Sequence, residues 1–509
     1  MSHPEFLERL FECQKGEEGD KKDLLNYTRI RKKTIQIRRV ESSMSSQYRT
    51  PETDEQVCQD QSQRLTQQLE SFLGPLLVLL DAYIDKRLVR TFVRAIAAIM
   101  TFRNQAQGLC LSELGAYITN PAQAPAGTKR LSNLLRCTKW GKELIDHYLW
   151  ERADKRREEL NDSGEEALCI WDGSVIEKPE SEKGEGLCAV KSSKAARLKK
   201  PKKGAFNQPG GKAVVVMGIE WIGVILVGMR GIPTVVNMKW WSRKGIKASK
   251  QRDEEEMLLS RIARYWGKKV VHVFDRGYAG APWLKVLQRF GVYFVTRWKK
   301  GLSFVDEDGN ERKLGDIVRY KRSWGYKLIW DAGKHCHRKT GVFAMPVRHA
   351  AYAGQLWVVV VRQGGEPWYL ITNKPVETQN QAWHIVLIYA RRWQIETTFR
   401  YKKSELAVQS VRLWEWENRE KLLLMVTLAY AFLLSLCDSS LDLVREWLLR
   451  HYCHRTGEKY REAKVPLYRI RWALSRLWSD FRPVFAFSFL DAIPISVYRN
   501  QNGCSQNSG

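Results

Sequence analysis

The sequence has no C-x-x-C pair, no apolar stretch behind its N-terminus and no internal repeat. Its ten Cys lie scattered between Cys13 and Cys504. Finger-type structural zinc needs paired ligands at short fixed spacing, and His335-Cys336-His337 and His451-Tyr-Cys453-His454 are each isolated. Dispersed thiols suit a reducing compartment. A charged N-terminus without an apolar signal core points away from secretion. The most membrane-like run, Leu422 to Cys437, is short and carries Thr427, Tyr430 and Ser435, so it reads as a buried helix. The expectation is a soluble, cytoplasmic protein with no membrane partner. Acidic side chains are also in short supply: 56 Asp and Glu against 84 Lys and Arg leave a formal charge of +28. That surplus implies a polyanionic partner, nucleic acid before an anionic membrane surface. Twenty Trp could serve base stacking, although core packing accounts for most of them.

What is present falls into blocks. Residues 1–60 are polar and weakly periodic, with a basic run from Arg29 to Arg39, and read as disordered or loosely docked. Residues 61–160 carry helical stripes at Leu69 to Tyr83 and Leu88 to Phe102. Within them a short segment, Ser112 to Ile118, ends at Asn120-Pro121, and a loop closing on Gly127 leads to Thr128 to Arg136. Short helix, turn and second helix resemble a helix-turn-helix reader whose first turn exposes Lys129 and Arg130, although helical hairpins are common. Residues 161–297 mix β-rich runs with amphipathic helices, which indicates a mixed sheet flanked by helices. Residues 298–375 lose the helical period and read as an all-β insertion. Residues 376–410 return to helix, and 411–509 form a helical C-terminal region and tail. The fold class is multidomain α+β.

Three carboxylates stand out. Leu168-Cys-Ile-Trp171 is an apolar run ending at Asp172, and Lys269 to Phe274 is a buried strand ending at Asp275. In open α/β sheets, active groups gather at carboxyl ends of strands. The third, Glu396, lies in a segment from Asn380 to Leu406 that contains neither Gly nor Pro and has helical periodicity. On such a helix Tyr389, Arg392, Glu396 and Lys403 share a narrow arc, with Arg400 one turn beyond Glu396. The plainer alternatives are a solvated face with intrahelical ion pairs for the helix, and turn or cap residues for the two Asp. Clustered carboxylates repel unless a cation neutralises them, and hard oxygen donors select Mg²⁺ or Mn²⁺.

Tyr389-x2-Arg392-x3-Glu396-x6-Lys403 resembles the Tyr-Arg-Glu-Lys signature of the insertion-sequence-four family of bacterial DDE transposases. Trp171-Asp-Gly-Ser-Val-Ile-Glu-Lys178, Val273-Phe-Asp-Arg-Gly-Tyr278 and Pro367-Trp-Tyr-Leu-Ile-Thr-Asn373 are similar to further motifs of that family. The resemblance covers about residues 60 to 440. It implies a helical N-terminal DNA-binding domain and an RNase-H-like α/β catalytic core interrupted by the β insertion. It implies two Mg²⁺ or Mn²⁺ ions per active site, held by Asp172, Asp275 and Glu396. The activity implied is cut-and-paste transposition, in which a homodimer in a synaptic complex holds double-stranded element ends and target DNA in a bacterial, nucleoid-associated setting. Tyr389, Arg392 and Lys403 would hold backbone phosphates, with Arg400 and Arg276 as further DNA contacts. Trp298, Trp324 and Trp330 are candidates for the insertion-domain Trp against which some members flip a base.

Val190 to Lys203 adds a basic loop without acid, including Lys199 and Lys200, which reads as a mobile cover over a nucleic-acid backbone. Two rival functions keep the same fold: an RNase-H-like nuclease not tied to an element, and a transposase-derived DNA-binding protein that no longer cuts.

Overall fold

A computed structural model describes residues 54–102, 107–181, 183–192, 215–245, 248–331, 336–453 and 467–487, without the side chains of residues 330, 331 and 336. Residues 1–53, most of the basic loop with Lys199 and Lys200, and the Trp330 side chain therefore lie outside the described part.

Asp54 caps α1 (Glu55–Tyr83) by accepting from the Gln56 amide, and Asp85 caps α2 (Lys86–Thr101) by accepting from the Arg87 amide. Leu65, Leu69, Leu73, Leu76 and Leu80 recur at helical spacing on α1 and are all buried. Three more helices follow: α3 (Leu111–Ile118), α4 (Ala124–Arg136) and α5 (Lys142–Asp162). Here the sequence reading needs correction. Gly127 is not the end of a loop but sits inside α4, which starts at Ala124 with Pro125 in its first turn. Thr128 is consequently a turn deeper, and its hydroxyl donates back to Ala124 O.

The strands build one mixed sheet. β1 (Ala167–Glu177) runs antiparallel to β3 (Val215–Val227) and parallel to β5 (Val270–Phe274). On the β3 side, β2 (Cys188–Lys191) and β4 (Thr234–Trp241) both pair antiparallel to it. The helix α6 (Gln251–Trp266) connects β4 to β5, and α7 (Ala281–Phe290) connects β5 to the parallel β6 (Tyr293–Trp298). Next come β7 (Ser303–Val305), β8 (Glu311–Lys313), a single helical turn α8 (Leu314–Ile317), β9 (Gly325–Asp331), β10 (Cys336–His349), β11 (Tyr352–Arg362) and β12 (Trp368–Thr372).

These later strands do not form a sheet of their own. β12 pairs antiparallel with β6, and β11 and β10 continue outward, so insertion and core share a twelve-stranded sheet. Pairing of β12 satisfies the edge of β6 that would otherwise be left open. The insertion is therefore neither a separate unit nor all β, since α8 lies within it.

The sheet divides two cores by simple alternation. Ile170, Val271, Val273 and Val295 face the side covered by α9 (Gln379–Ala390), α10 (Trp393–Ser404) and α11 (Trp416–Ser435). Cys169, Trp171, Phe274 and Phe294 face α6 and α7. The helix α11 is buried nearly throughout and meets α2, α5, α10 and the C-terminal α13 (Leu467–Asp480); α12 (Asp442–Tyr452) lies between them in sequence. Among the described residues no single helix is long and apolar enough to cross a membrane.

Candidate active site

Two neighbouring strands set the first geometry. In the parallel ladder, Cys169 is opposite His272 and Ile170 is opposite Val273. The same register carried two residues further puts Asp172 opposite Asp275. Asp172 does not end its strand, as the apolar run suggested, because β1 continues to Glu177 against β3. What ends beside it is the parallel ladder, and β5 stops at Phe274. By alternation both Asp share the face of Ile170 and Val273, the side on which α10 packs.

Asp275 also does the ordinary job of a turn residue. Its carboxylate accepts from the Gly277 amide at 2.7 Å and caps the single turn Arg276–Tyr278. Asp172 accepts from the Gly173 amide at 2.8 Å. Local hydrogen bonds orient both groups without consuming all their acceptor sites.

The helix carrying Glu396 is not continuous. It tightens at Arg391 and Arg392, where Arg392 N bonds Tyr389 O, Gln394 N bonds Arg391 O and Ile395 N bonds Arg392 O, all at i−3 spacing. The reason lies outside the helix. Arg391 reaches into the β3–β4 connection, with Nε on Gly228 O at 3.0 Å and Nη2 on Gly231 O at 2.7 Å. The anchored turn divides α9 from α10 and aims Arg392 at the carboxylates.

Arg392 is the centre of the cluster. One terminal nitrogen lies 2.5 Å from Glu396 Oε1, and the other lies 3.6 Å from Asp172 Oδ2. Tyr389 is buried, holds its ring within cation–π range of Arg392, and meets Trp368 edge-on at 5.9 Å. Lys403, at the other end of α10, donates to Ser174 Oγ at 2.8 Å, two residues from Asp172. Arg276 and Arg400 are exposed and touch none of the three carboxylates. Lys129 and Arg130 are exposed on α4, in the helical N-terminal region. Trp298 is buried at 2% exposure against Phe304 and His349, so it is a core side chain and not an available ring. Trp324 is exposed.

Electrostatics follow from this packing. Burial pushes the Asp172 carboxyl up to about 7, the charge of Asp275 adds to it, and Arg392 opposes. Burial likewise raises the Tyr389 phenol, against the pull of Arg392. Burial acts to lower the Arg392 guanidinium, but Tyr389, Glu396 and Asp172 together raise it.

The sequence reading missed part of the site. A cleft of about 480 Å³ opens beside Asp172 and Asp275, and Gln251, Arg252, Glu255 and Tyr278 line it. Glu255 is 1% exposed, accepts from Gln251 Nε2 at 2.8 Å and pairs with Arg252 at 3.1 Å. Burial raises its carboxyl, and Asp275 adds to the shift. In sequence Glu255 is one of three consecutive Glu near a helix start, so only packing sets it apart.

The donor chemistry suits a hard divalent cation. Asp172 and Asp275 offer carboxylate oxygens side by side, and a cation bound between them would offset both the burial of Asp172 and its repulsion from Asp275. As placed, Arg392 supplies the positive charge instead, and among the described residues no three such donors are grouped closely enough to hold an ion.

Residues 249–432 match the family described as Transposase DDE domain, a span that includes Asp275 and Glu396 but begins after Asp172. Over 166 residues, 32% of this chain, the sequence is 30% identical to y4zB of Sinorhizobium fredii (strain NBRC 101917 / NGR234), named as an inferred transposase. The chain spans 41% of that relative's length. A piggyBac transposase synaptic complex with hairpin DNA aligns with 87% of this chain and 84% of that chain, at 10% identity and a TM-score of 0.35, a likeness too low to carry an argument. One similarity is thus to a transposase DDE domain and the other to part of a transposase relative.

Proposed function

We propose that this protein is a DDE transposase of the insertion-sequence-four type, which binds the inverted-repeat ends of an element, cuts them and joins them to target DNA. One observation carries the reading: the parallel register that sets Asp172 against Asp275, with Glu396 tied to Asp172 through Arg392. The signature residues support it, since Tyr389, Arg392 and Lys403 all approach the Asp172 side of the sheet. The order β4-β3-β1-β5-β6, antiparallel on one side of β1 and parallel on the other, supports an RNase-H-like core.

In this reading Asp172, Asp275 and Glu396 would hold two Mg²⁺ or Mn²⁺ ions, and such ions would supply activation of a water or a 3′-hydroxyl and stabilisation of the leaving oxygen. The chain's own cations do the positioning. Arg392 exchanges its carboxylate partners for a backbone phosphate as substrate arrives, and its planar fork suits two phosphate oxygens. Lys403 and the Tyr389 hydroxyl hold neighbouring phosphates and fix the strand's register. The α3–α4 pair meets the element end, and a homodimer brings two ends together. Arg392 neutralising Asp172 and Glu396 would also stabilise a protein that binds DNA without cutting, which is the second reading.

Cleavage of DNA carrying the gene's own flanking ends, with Mg²⁺ or Mn²⁺, separates the readings when wild type is compared with Glu396→Gln. End cutting by wild type alone supports the transposase. End binding without cutting by either protein supports the non-cutting reading. Cutting of DNA without such ends supports a general nuclease. Equal end cutting by both proteins removes Glu396 from the site.

A further inference from the structure

A second cleft, about 660 Å³, lies not at the carboxylates but in the helical N-terminal region. Arg94 of α2, Arg130 of α4 and Arg482 of the segment after α13 line it, with Glu113 as their only carboxylate neighbour in the lining. Arg94 and Arg130 make no hydrogen bond or ion pair with any described residue. Burial lowers the Arg94 guanidinium, and the charges of Arg130 and Arg90 lower it further, as expected of crowded cations.

The third arginine arrives from far along the chain and is held there. Ser62 donates to Phe481 O at 2.7 Å, Gln63 donates to Val484 O at 3.1 Å, and the Phe487 amide donates to Glu70 at 3.0 Å. Arg482 itself donates one Nη1 bond to Thr119 O at 2.9 Å, just past α3, which leaves its other donors available. Two guanidiniums without a partner among the described residues and one tethered guanidinium thus converge on a space large enough for a nucleotide-sized group, since small-ligand sites run roughly 300–1,000 Å³. Arg130 also belongs to the exposed face of α4 that carries Lys129, so cleft and helix face adjoin.

We propose that this cleft is a phosphate site for duplex DNA, in which Arg94, Arg130 and Arg482 clasp one sugar–phosphate stretch of the duplex that α4 meets. The C-terminal segment 481–487 is then part of the DNA-reading module and not merely a tail packed on it. The inference rests on the DNA-binding reading above and goes beyond it by assigning the phosphate contacts.

Fluorescence anisotropy with a labelled duplex, titrated across salt with the full chain, tests it. Three proteins are compared: wild type, a triple Arg→Gln variant at 94, 130 and 482, and the matching triple Arg→Lys variant. The expected result is weaker binding by the Gln variant on every sequence, with the slope of log K against log salt smaller by about one for each phosphate no longer held. The Lys variant should keep the wild-type slope, which shows that charge and not folding is responsible. Equal slopes for wild type and the Gln variant would overturn the cleft assignment while leaving DNA binding intact. Failure of wild type to bind any duplex would instead remove the DNA reading beneath it. Displacement of the duplex by inorganic phosphate at constant ionic strength, matched in the Gln variant, would also overturn the assignment, because the displacing anion would then act elsewhere.

Discussion

Arg392 reaches Asp172 across the gap between helix and sheet, Nη1 to Oδ2 at 3.6 Å, while its other terminal nitrogen holds Glu396. It thus occupies the position of counter-ion to two of the three carboxylates, and Arg392→Gln should leave both without one. The expected cost is about 1–3 kcal/mol of stability in metal-free protein, less than for a fully buried pair because Glu396 is partly exposed. Mn²⁺ or Mg²⁺ should then raise the melting temperature of the variant more than that of wild type. Differential scanning fluorimetry with and without the ions reads both effects. Equal metal shifts would mean that Arg392 does not stand in for a cation.

Asp172 gives the site a pH dependence. Its carboxyl is raised to about 7 by burial first and by Asp275 second, so the ionised form is the disfavoured one in the folded protein. The sign follows: this contribution to stability is complete below the ordinary carboxylate range and is lost as pH rises toward 7. Asp172→Asn should therefore stabilise metal-free protein at pH 8, by up to about 4 kcal/mol, and change little at pH 4. Denaturant titrations at the two pH values check it. A variant gain of equal size at both would show that the effect is not ionisation.

Much of this site was legible because apolar runs and their terminating residues are local signals. The runs before Asp172 and Asp275 mark strands without reference to anything distant. Registers are not local. Nothing in the run Leu168–Trp171 says that β1 continues to Glu177, since the continuation depends on β3 some forty residues later. The break at Arg391 and Arg392 has no Gly or Pro to announce it, because its cause is the pair of carbonyls at Gly228 and Gly231. Sharing of one sheet by core and insertion was hidden for the same reason, as only the β6–β12 pairing joins them. Glu255 and Lys402 look like solvated charges in sequence, and only packing shows them buried.

Lys402 is fully buried, beside the signature residue Lys403. Its ammonium nitrogen donates to Thr427 Oγ1 at 2.7 Å and lies 4.8 Å from the Trp221 ring and 5.5 Å from the Trp240 ring. Burial drives its pKa well below the usual lysine value. For a lysine depressed in this way, stability rises with pH toward the unfolded value and falls as pH drops. Lys402→Met should therefore stabilise the protein at neutral pH by about 1–3 kcal/mol and flatten that rise. Thr427 keeps its own bond to Leu423 O, so no hydroxyl donor is stranded. Melting curves between pH 6 and pH 10 measure it, and a destabilised variant with unchanged pH dependence would show that the amine is needed for packing.

Gly115 and Gly127 let α3 and α4 cross with backbone against backbone. A Cβ at Gly127 would lie 2.1 Å from Gly115 O and 2.8 Å from its carbonyl carbon, and a Cβ at Gly115 would lie 2.5 Å from Thr128 N. Every near contact at Gly127 is backbone, and at Gly115 only the Thr128 hydroxyl could move aside, so the helices themselves must separate. Gly127→Ala should cost about 1–3 kcal/mol by overpacking, whereas Gly301→Ala, with open space around it, should cost little. The same change tests whether this crossing sets up the α4 face. If α4 meets DNA as proposed, Gly127→Ala should weaken duplex binding uniformly while leaving the salt slope near that of wild type, because no charge is removed. Undiminished duplex affinity in a destabilised Gly127→Ala protein would mean that the α3–α4 crossing supports the fold alone, and that DNA is met by another surface.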